Sequence, residues 1–271
     1  MTAAPGDSTD DVTMTFGGNA TMLLRIGSFT LLTDPSFVRR GKRVYLGYGL
    51  WTKRLTDPAI EPTQLPALDA IVLSHLHGDH WDDIATRHLN KATPLVTTQE
   101  AAEVLSAKGF GATADLRPWQ QHVLQRGAET LRITAVPGVH GPGPMARLLP
   151  PVMGSVLELV RDGEVRWRGY VSGDTLRRPW LAEVLERCGP LDVLIPHLGG
   201  TKALGLTVTM DAGQGADLVE MLKPPVTVPV HYDDYSRFTS SIGDFVAEVK
   251  QRRLPGEVRV AVRGETVSLR A

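Results

Sequence analysis

The chain has 271 residues, 42% of them hydrophobic and 22% charged, with 29 Lys and Arg against 30 Asp and Glu. That length suits one or two domains with a substantial core, and the composition excludes collagen, coiled coil and wholesale disorder. A net charge of −1 leaves no global basic field, so neither a nucleic-acid nor an anionic-membrane partner is indicated, and a single cysteine, Cys188, excludes a disulfide framework.

Residues 1–11 have neither the basic start nor the apolar run of a signal peptide and read as a disordered tail, which leaves residues 12–271 as one domain. No run approaches the ~18 apolar residues of a membrane span. With the lone cysteine, this points to the cytoplasm.

Short strands dominate the first third: Thr13–Phe16, Thr21–Ile26 and Phe29–Thr33, separated by Gly17-Gly18-Asn19 and Gly27-Ser28. Residues 35–66 carry four prolines and the aromatic residues Tyr45, Tyr48 and Trp51, and read as a long functional loop. Asp69–Ser74 has the apolar run of a fully buried strand and ends at His75. A helix should begin near Asp82, followed by a strand over Pro94–Thr97 and a helix over Gln99–Lys108 stopped by Gly109. Thr130–Val136 is a strand closed by Pro137-Gly138.

Ser155–Val160 and Val165–Val171 flank Asp162-Gly163, a strong hairpin signal. Pro179–Arg187 reads as a helix, Asp192–Ile195 as a strand, and Asp211–Leu222 as a helix halted by Pro224-Pro225. Val226–Val230 is a strand, Ile242–Arg252 a helix, and Val258–Val262 with Thr266–Leu269 a closing hairpin. The pattern predicts a mixed α/β (α+β) protein of two packed sheets with outer helices.

The chemistry concentrates in Ser74-His75-Leu76-His77-Gly78-Asp79-His80-Trp81-Asp82. On an extended segment, His75 and His77 point the same way, so two imidazoles can converge on one ion. Gly78 allows a turn after which Asp79 and His80 can face a second ion. Imidazole and carboxylate suit Zn, and also Mn or Fe. Further candidates stand where strands end: His140, Asp174 in Ser172-Gly173-Asp174-Thr175, His197 and His231. Ligands at the ends of different strands can gather along one edge of a sheet pair.

This order of motifs resembles the metallo-β-lactamase fold hydrolases over nearly the whole chain. The wording His-Leu-His-Gly-Asp-His-Trp-Asp, with Thr33-Asp34-Pro35 and Thr209-Met210-Asp211-Ala212, looks like the branch of ascorbate-phosphate lactonase-like and N-acyl-phosphatidylethanolamine phospholipase D-like proteins. The resemblance implies a four-layer αββα sandwich with a two-zinc site at one edge. His75, His77 and His140 would hold the first ion, Asp79, His80 and His231 the second, and Asp174 would bridge them. A metal-bridging hydroxide would be the nucleophile, Asp79 could accept its hydrogen bond or pass a proton to the leaving group, and Asp34 would orient a ligand. No glycine follows His80 as in the ribonuclease-Z-like and glyoxalase-II-like branches, no cysteine ligand is present, and His77 replaces the Glu of flavodiiron oxidoreductases.

The expected reaction is hydrolysis of a lactone, ester or amide of a small metabolite. A phosphodiesterase, a mononuclear-iron persulfide dioxygenase and a non-catalytic metal-binding module are the alternatives. His197 can line the site or be a hydrogen-bonded structural histidine, and Tyr232 can line the site or pack. Arg147, Arg177, Arg178 and Arg237 are candidates to read an anionic substrate. Tyr45, Tyr48 and Trp51 form either a lid or a hydrophobic cluster. Specificity should reside in residues 35–66 and 141–153. His88 and His122 read as surface residues and Cys188 as packing. Gly213-x-Gly215 follows no strand, so no dinucleotide fingerprint is present.

Overall fold

A strand register that alternates buried and half-buried residues runs through Val12–Gly18 and Thr21–Ile26, as expected where one face meets a core. The computed structural model describes residues 12–47 and 49–271, so the tail expected at 1–11 and Tyr48 lie outside the described residues. The first sheet runs, in spatial order, Thr266–Ser268, Val12–Gly18, Thr21–Ile26, Phe29–Thr33, Ala70–Val72, Leu95–Thr97 and Thr113–Asp115. The second runs Glu257–Val258, Val226–Thr227, Val193–Ile195, Glu164–Val171, Met153–Arg161, Glu129–Pro137 and Gln121–Arg126.

Each sheet is half antiparallel and half parallel. Four of the six antiparallel pairs in these sheets are joined by tight turns, such as Asp162 (φ 54°) and Gly163 (φ 78°) between Met153–Arg161 and Glu164–Val171. Two successive left-handed residues match the twist of a two-residue hairpin. The parallel strands Ala70–Val72, Leu95–Thr97 and Val193–Ile195 are buried at every position. Helices cover their outer faces, so both sides of each strand must be apolar.

Three apolar layers result. Between the sheets lie Met14, Phe16, Leu24, Ile133, Leu157 and Trp167 with their neighbours. Outside the first sheet, Ile71 and Leu95 pack on the helices Asp83–His88 and Gln99–Ala107 through Ala85, Ala101 and Leu105. Outside the second sheet, Val156 and Leu194 meet the helices Glu183–Cys188, Ala212–Leu222 and Ile242–Gln251 through Val184, Leu218 and Phe245. The architecture is the expected αββα sandwich. Four of these five helices start at capping side chains, Asp82, Thr98, Asp211 and Ser241, each accepting a backbone N–H.

The structure departs from the sequence expectations in several places. Residues 35–66 are not a bare loop, because Arg43–Tyr45 and Trp51–Lys53 pair as a short antiparallel hairpin. The expected helix over Pro179–Arg187 begins as a 3-10 turn at Pro179–Ala182. Two strands, Thr113–Asp115 and Gln121–Arg126, join the sheet edges without an apolar alternation strong enough to announce them.

The closing pair is not a hairpin. Glu257–Val258 runs parallel to Val226–Thr227 in the second sheet, whereas Thr266–Ser268 pairs with Val12–Gly18 in the first. The intervening segment crosses between sheets because Arg263 is drawn to Asp233 and Asp234, and the Gly264 N–H donates to Phe16 O (2.7 Å).

Candidate metal centre

Six strand-end segments deliver buried polar side chains to one end of the sandwich. After Phe29–Thr33 the chain turns at Asp34, which takes a left-handed φ of 37°. Asp34 Oδ1 accepts the Ser74 N–H (2.7 Å), which fixes the start of the histidine segment after Ala70–Val72. Gly173 precedes Asp174 with a φ of 62°, and a Cβ there would lie 2.7 Å from Met153 O, so only glycine lets Asp174 turn inward. His231 also has a left-handed φ, 61°, held by its N–H donating to Asn19 O (2.9 Å). Such backbone cost in a non-glycine residue persists only where the surroundings enforce it.

The residues singled out in the sequence come together. His75, His77 and His140 form one cluster, Asp79, His80 and His231 another, and His75, His80 and Asp174 lie between them, with the candidate ligand atoms in each set within 4.8 Å. Asp34, His80 and His197 form a fourth set. His77 Nδ1 lies 3.0 Å from His75 Nε2 and 3.3 Å from His140 Nε2. His231 Nε2 lies 3.3 Å from His80 Nε2 and 3.4 Å from both Asp79 Oδ2 and Asp174 Oδ2. His75, His80 and His231 have no solvent exposure.

The proton positions explain why these atoms converge. His140 Nδ1 donates to the Val208 carbonyl (2.9 Å), and His231 Nδ1 donates to the Leu198 carbonyl (2.8 Å). A carbonyl can only accept, so each Nδ1 carries the proton and, in the neutral ring, each Nε2 is a bare lone pair. The His231 lone pair therefore faces two carboxylate oxygens, and the His140 lone pair faces His77 Nδ1. His77 Nε2 and Asp79 Oδ1 are buried with no hydrogen-bond partner. Acceptor set against acceptor is repulsive without a cation between, and a divalent ion fits this donor set. Nitrogens 3.0–3.3 Å apart also approximate the edge of about 3.3 Å in a tetrahedron built from Zn–N bonds of about 2.0–2.1 Å.

Electrostatics divide the two clusters. Burial and the other imidazoles push His75 well below its ordinary value, and burial with His140 pushes His77 down to about 3. Burial likewise lowers His140. In the second cluster burial also works against the charged histidines, but the carboxylates win: Asp174 and Asp79 raise both His80 and His231. Burial would raise Asp79, yet His80 and His231 hold it at about 2, and Asp174 is likewise held well below its usual range. The first cluster is thus neutral, and the second pairs carboxylates with imidazoles that compete for a proton or an ion.

Outer partners hold these groups in place. Asp34 Oδ2 is 3.3 Å from His80 Nδ1, and Ser74 Oγ is 3.0 Å from His75 Nδ1. The Thr209 hydroxyl donates to Asp174 Oδ2 (3.0 Å), and His197 Nδ1 is 3.2 Å from Asp174 Oδ1. His197 therefore lines the cluster, with its Nε2 buried and unpartnered. Tyr232 does not face it: its ring stacks on Phe16 and its hydroxyl reaches toward Ala261 O. Arg237 turns outward and donates to Trp51 O (2.7 Å).

The sequence did not single out Asn19 or Asp234. The Asn19 side-chain amide donates to Asp79 O (2.8 Å), its carbonyl accepts from His231, and its N–H donates to Asp234 Oδ2 (2.6 Å). Asp234 is fully buried and paired with the equally buried Arg54 at 3.2 Å. A buried carboxylate after His231 and an asparagine in a two-glycine turn were the available signals. Gly78 stands in the turn expected of it, where the His77 carbonyl accepts the His80 and Trp81 N–H groups, and it has a second role. A Cβ there would lie 2.8 Å from Tyr45 O, so the glycine admits the Arg43–Tyr45 strand against the histidine segment. A cavity of about 580 Å³ opens onto His77, walled by Tyr45, Leu76, Arg147 and Leu149.

Comparisons with known proteins bear on the fold and the family. A family described as a beta-lactamase superfamily domain matches residues 30–232. The chain is similar to the UPF0173 metal-dependent hydrolase of Aeropyrum pernix, 25% identical over 93% of this chain and 96% of that protein. The crystal structure of a possible metal-dependent hydrolase from Veillonella parvula superposes with a TM-score of 0.80 at 25% identity, covering 95% of this chain and 99% of that one. The isothiocyanate hydrolase from Delia radicum gut bacteria shares the fold, with a TM-score of 0.79 at 20% identity over 96% of this chain and 100% of that one. Among the described residues, no helix is long and apolar enough to cross a membrane.

Proposed function

Because the chain belongs to the beta-lactamase superfamily domain family and is a metal-dependent hydrolase of that fold, we propose that it hydrolyses a lactone, ester or amide of a small metabolite at a pair of zinc ions. His75, His77 and His140 would hold one ion, Asp79, His80 and His231 the other, with Asp174 between the two sets. The observation that carries this reading is the two overlapping sets of buried acceptor atoms, with bare Nε2 lone pairs on His140 and His231 and an unpartnered Asp79 Oδ1.

Bound there, zinc would supply the chemistry of an activated hydroxide at neutral pH, since metal-bound water titrates near 7 rather than 15.7. Asp79 does the proton work: its free Oδ1 takes a proton during attack and returns it to the leaving group. Asp34 and Thr209 keep His80 and Asp174 in register through that exchange. The cavity at His77 has room for a small organic ligand, and its walls are mainly apolar. Arg147 on the same wall favours a phosphodiester as second reading, since a guanidinium matches a phosphate oxygen pair.

Elemental analysis of protein purified without added metal tests the assignment, followed by turnover on lactones, esters, amides, phosphodiesters and isothiocyanates. Near two zinc ions per chain with lactone, ester or amide cleavage is expected. One iron per chain with oxygen consumption would overturn the reading, and metal without turnover of any class would make the chain a binding module.

A further inference from the structure

The net charge of −1 conceals a sharp local segregation. No Asp or Glu occurs in residues 35–56, 141–157 or 193–210, which together carry eight Lys and Arg. The first two of these segments wall the cavity at His77, and the third packs against them. They touch one another: Leu50 from the first and Met145 from the second pack on Leu149, Ala203 and Val208. Arg54 is buried against Asp234 and Arg39 pairs with Glu61. Arg40, Lys42, Arg43, Lys53, Arg147 and Lys202 are exposed and in no ion pair among the described residues. Glu100 is the one carboxylate on the cavity wall.

The same three segments expose large apolar side chains. Tyr45 is 47% exposed, Trp51 51%, Leu148 54%, Leu204 83% and Leu206 47%. Leu204 stands at a hairpin tip in a left-handed conformation (φ 50°), so the chain meets a backbone cost to present a leucine to solvent. Scattered exposed apolar residues need no explanation, but five on three loops that pack against one another, two of them on the cavity wall, do.

We propose that this rim docks the protein on an anionic phospholipid surface. Tyr45, Trp51 and the three leucines enter the headgroup region, and the cations meet lipid phosphates, so that the metal cavity opens at the bilayer. Tyrosine and tryptophan rings favour the membrane interface and leucine the acyl boundary beneath it. Lysine and arginine beside such a surface are attracted by its negative potential. A second copy of this chain is disfavoured, since two rims of one sign repel. A nucleic acid would use the cations and the rings but not the leucines, which cannot stack on bases.

Co-sedimentation of the metal-loaded protein with vesicles tests this without any turnover, so the result stands or falls separately from the proposed hydrolysis. The protein should pellet with vesicles of phosphatidylcholine mixed with phosphatidylglycerol, and far less with phosphatidylcholine alone. Each cation near the surface contributes about fivefold, so K42A/R43A should weaken binding roughly twentyfold. L204S/L206S should weaken it by about tenfold. Both pairs are exposed, and an unchanged Tm and metal content would confirm that the fold is intact. Pelleting with neither vesicle, or equally with both, would overturn the proposal. So would tight binding to an RNA oligomer that L204S/L206S leaves unaltered.

Discussion

The two ends of the sandwich are built from the same strands but by opposite rules. At the far end, turns are short and charges are answered: Glu129 Oε2 accepts the Ser28 N–H (2.9 Å), Oε1 accepts Arg161 Nε (3.1 Å), and Arg126 pairs with Asp69. At the metal end, Asn19, Asp34 and His231 sit at positive φ, and Asn19 Oδ1, His77 Nε2, Asp79 Oδ1 and His197 Nε2 are buried without partners. The first end secures the fold. The second keeps acceptors and strained backbone in place for an ion to resolve.

The contrast breaks most visibly at Asp174. Asp174→Ala should reduce hydrolysis by more than about a hundredfold, beyond the range typical of residues that only support a ligand. Chelation should lower the Tm of the wild type, because an ion that binds only the folded chain stabilises it, and this drop should vanish in the variant. Full activity with an undiminished chelator effect would remove Asp174 from the site. Asn19→Ala is a milder break of the same end. It should weaken metal affinity by about tenfold in a competition titration with a chromogenic chelator, since Asp79 loses the side-chain amide that holds its carbonyl while the main-chain bond to His231 stays.

Gly78→Ala tests the junction between the centre and its rim. The added methyl meets Tyr45 O and must displace the hairpin, costing about 1 kcal/mol and raising KM while metal content stays constant. The smallest effect belongs to the far end. Glu129→Gln should cost about 1 kcal/mol in denaturant unfolding and leave metal content and turnover untouched. Burial pushes the Glu129 carboxyl up, but Ser28 and Arg161 outweigh it and hold it below its ordinary 4.5. Its stabilisation is therefore present above about pH 4.5 and fades as pH falls through the lowered value, so the gap between wild type and variant should close in acid. A gap independent of pH would show that shape rather than charge matters there.

What could be read in the sequence follows this division. The ligand candidates were legible because each lies within a few residues of a strand end, so spacing alone declares them. His75, His77, Asp79 and His80 share one segment, and His140, Asp174 and His231 each follow a strand by three or four residues. Asn19 and Asp234 were not legible, since their significance lies in a contact across 215 positions. The strand Gln121–Arg126 escaped notice because an edge strand with one solvated face needs few apolar residues. Thr266–Ser268 was read as the partner of its neighbour in sequence, when its hydrogen bonds go to the other end of the chain.

That last pairing has a temporal meaning. Thr13 lies opposite Ser268 and Thr15 opposite Thr266, so the outer edge of the first sheet is sealed by a strand synthesised long after it. Until then the strand Val12–Gly18 presents an open row of backbone donors and acceptors, the kind of template on which strands of other chains assemble. Sealing it requires a very long loop to close, and such contacts form slowly. The same adjacency makes the chain suited to circular permutation: a short linker from residue 271 to residue 12, with new termini opened between Asp162 and Gly163 at the far end, would turn the slowest contact of the fold into a local one and leave the metal end uncut.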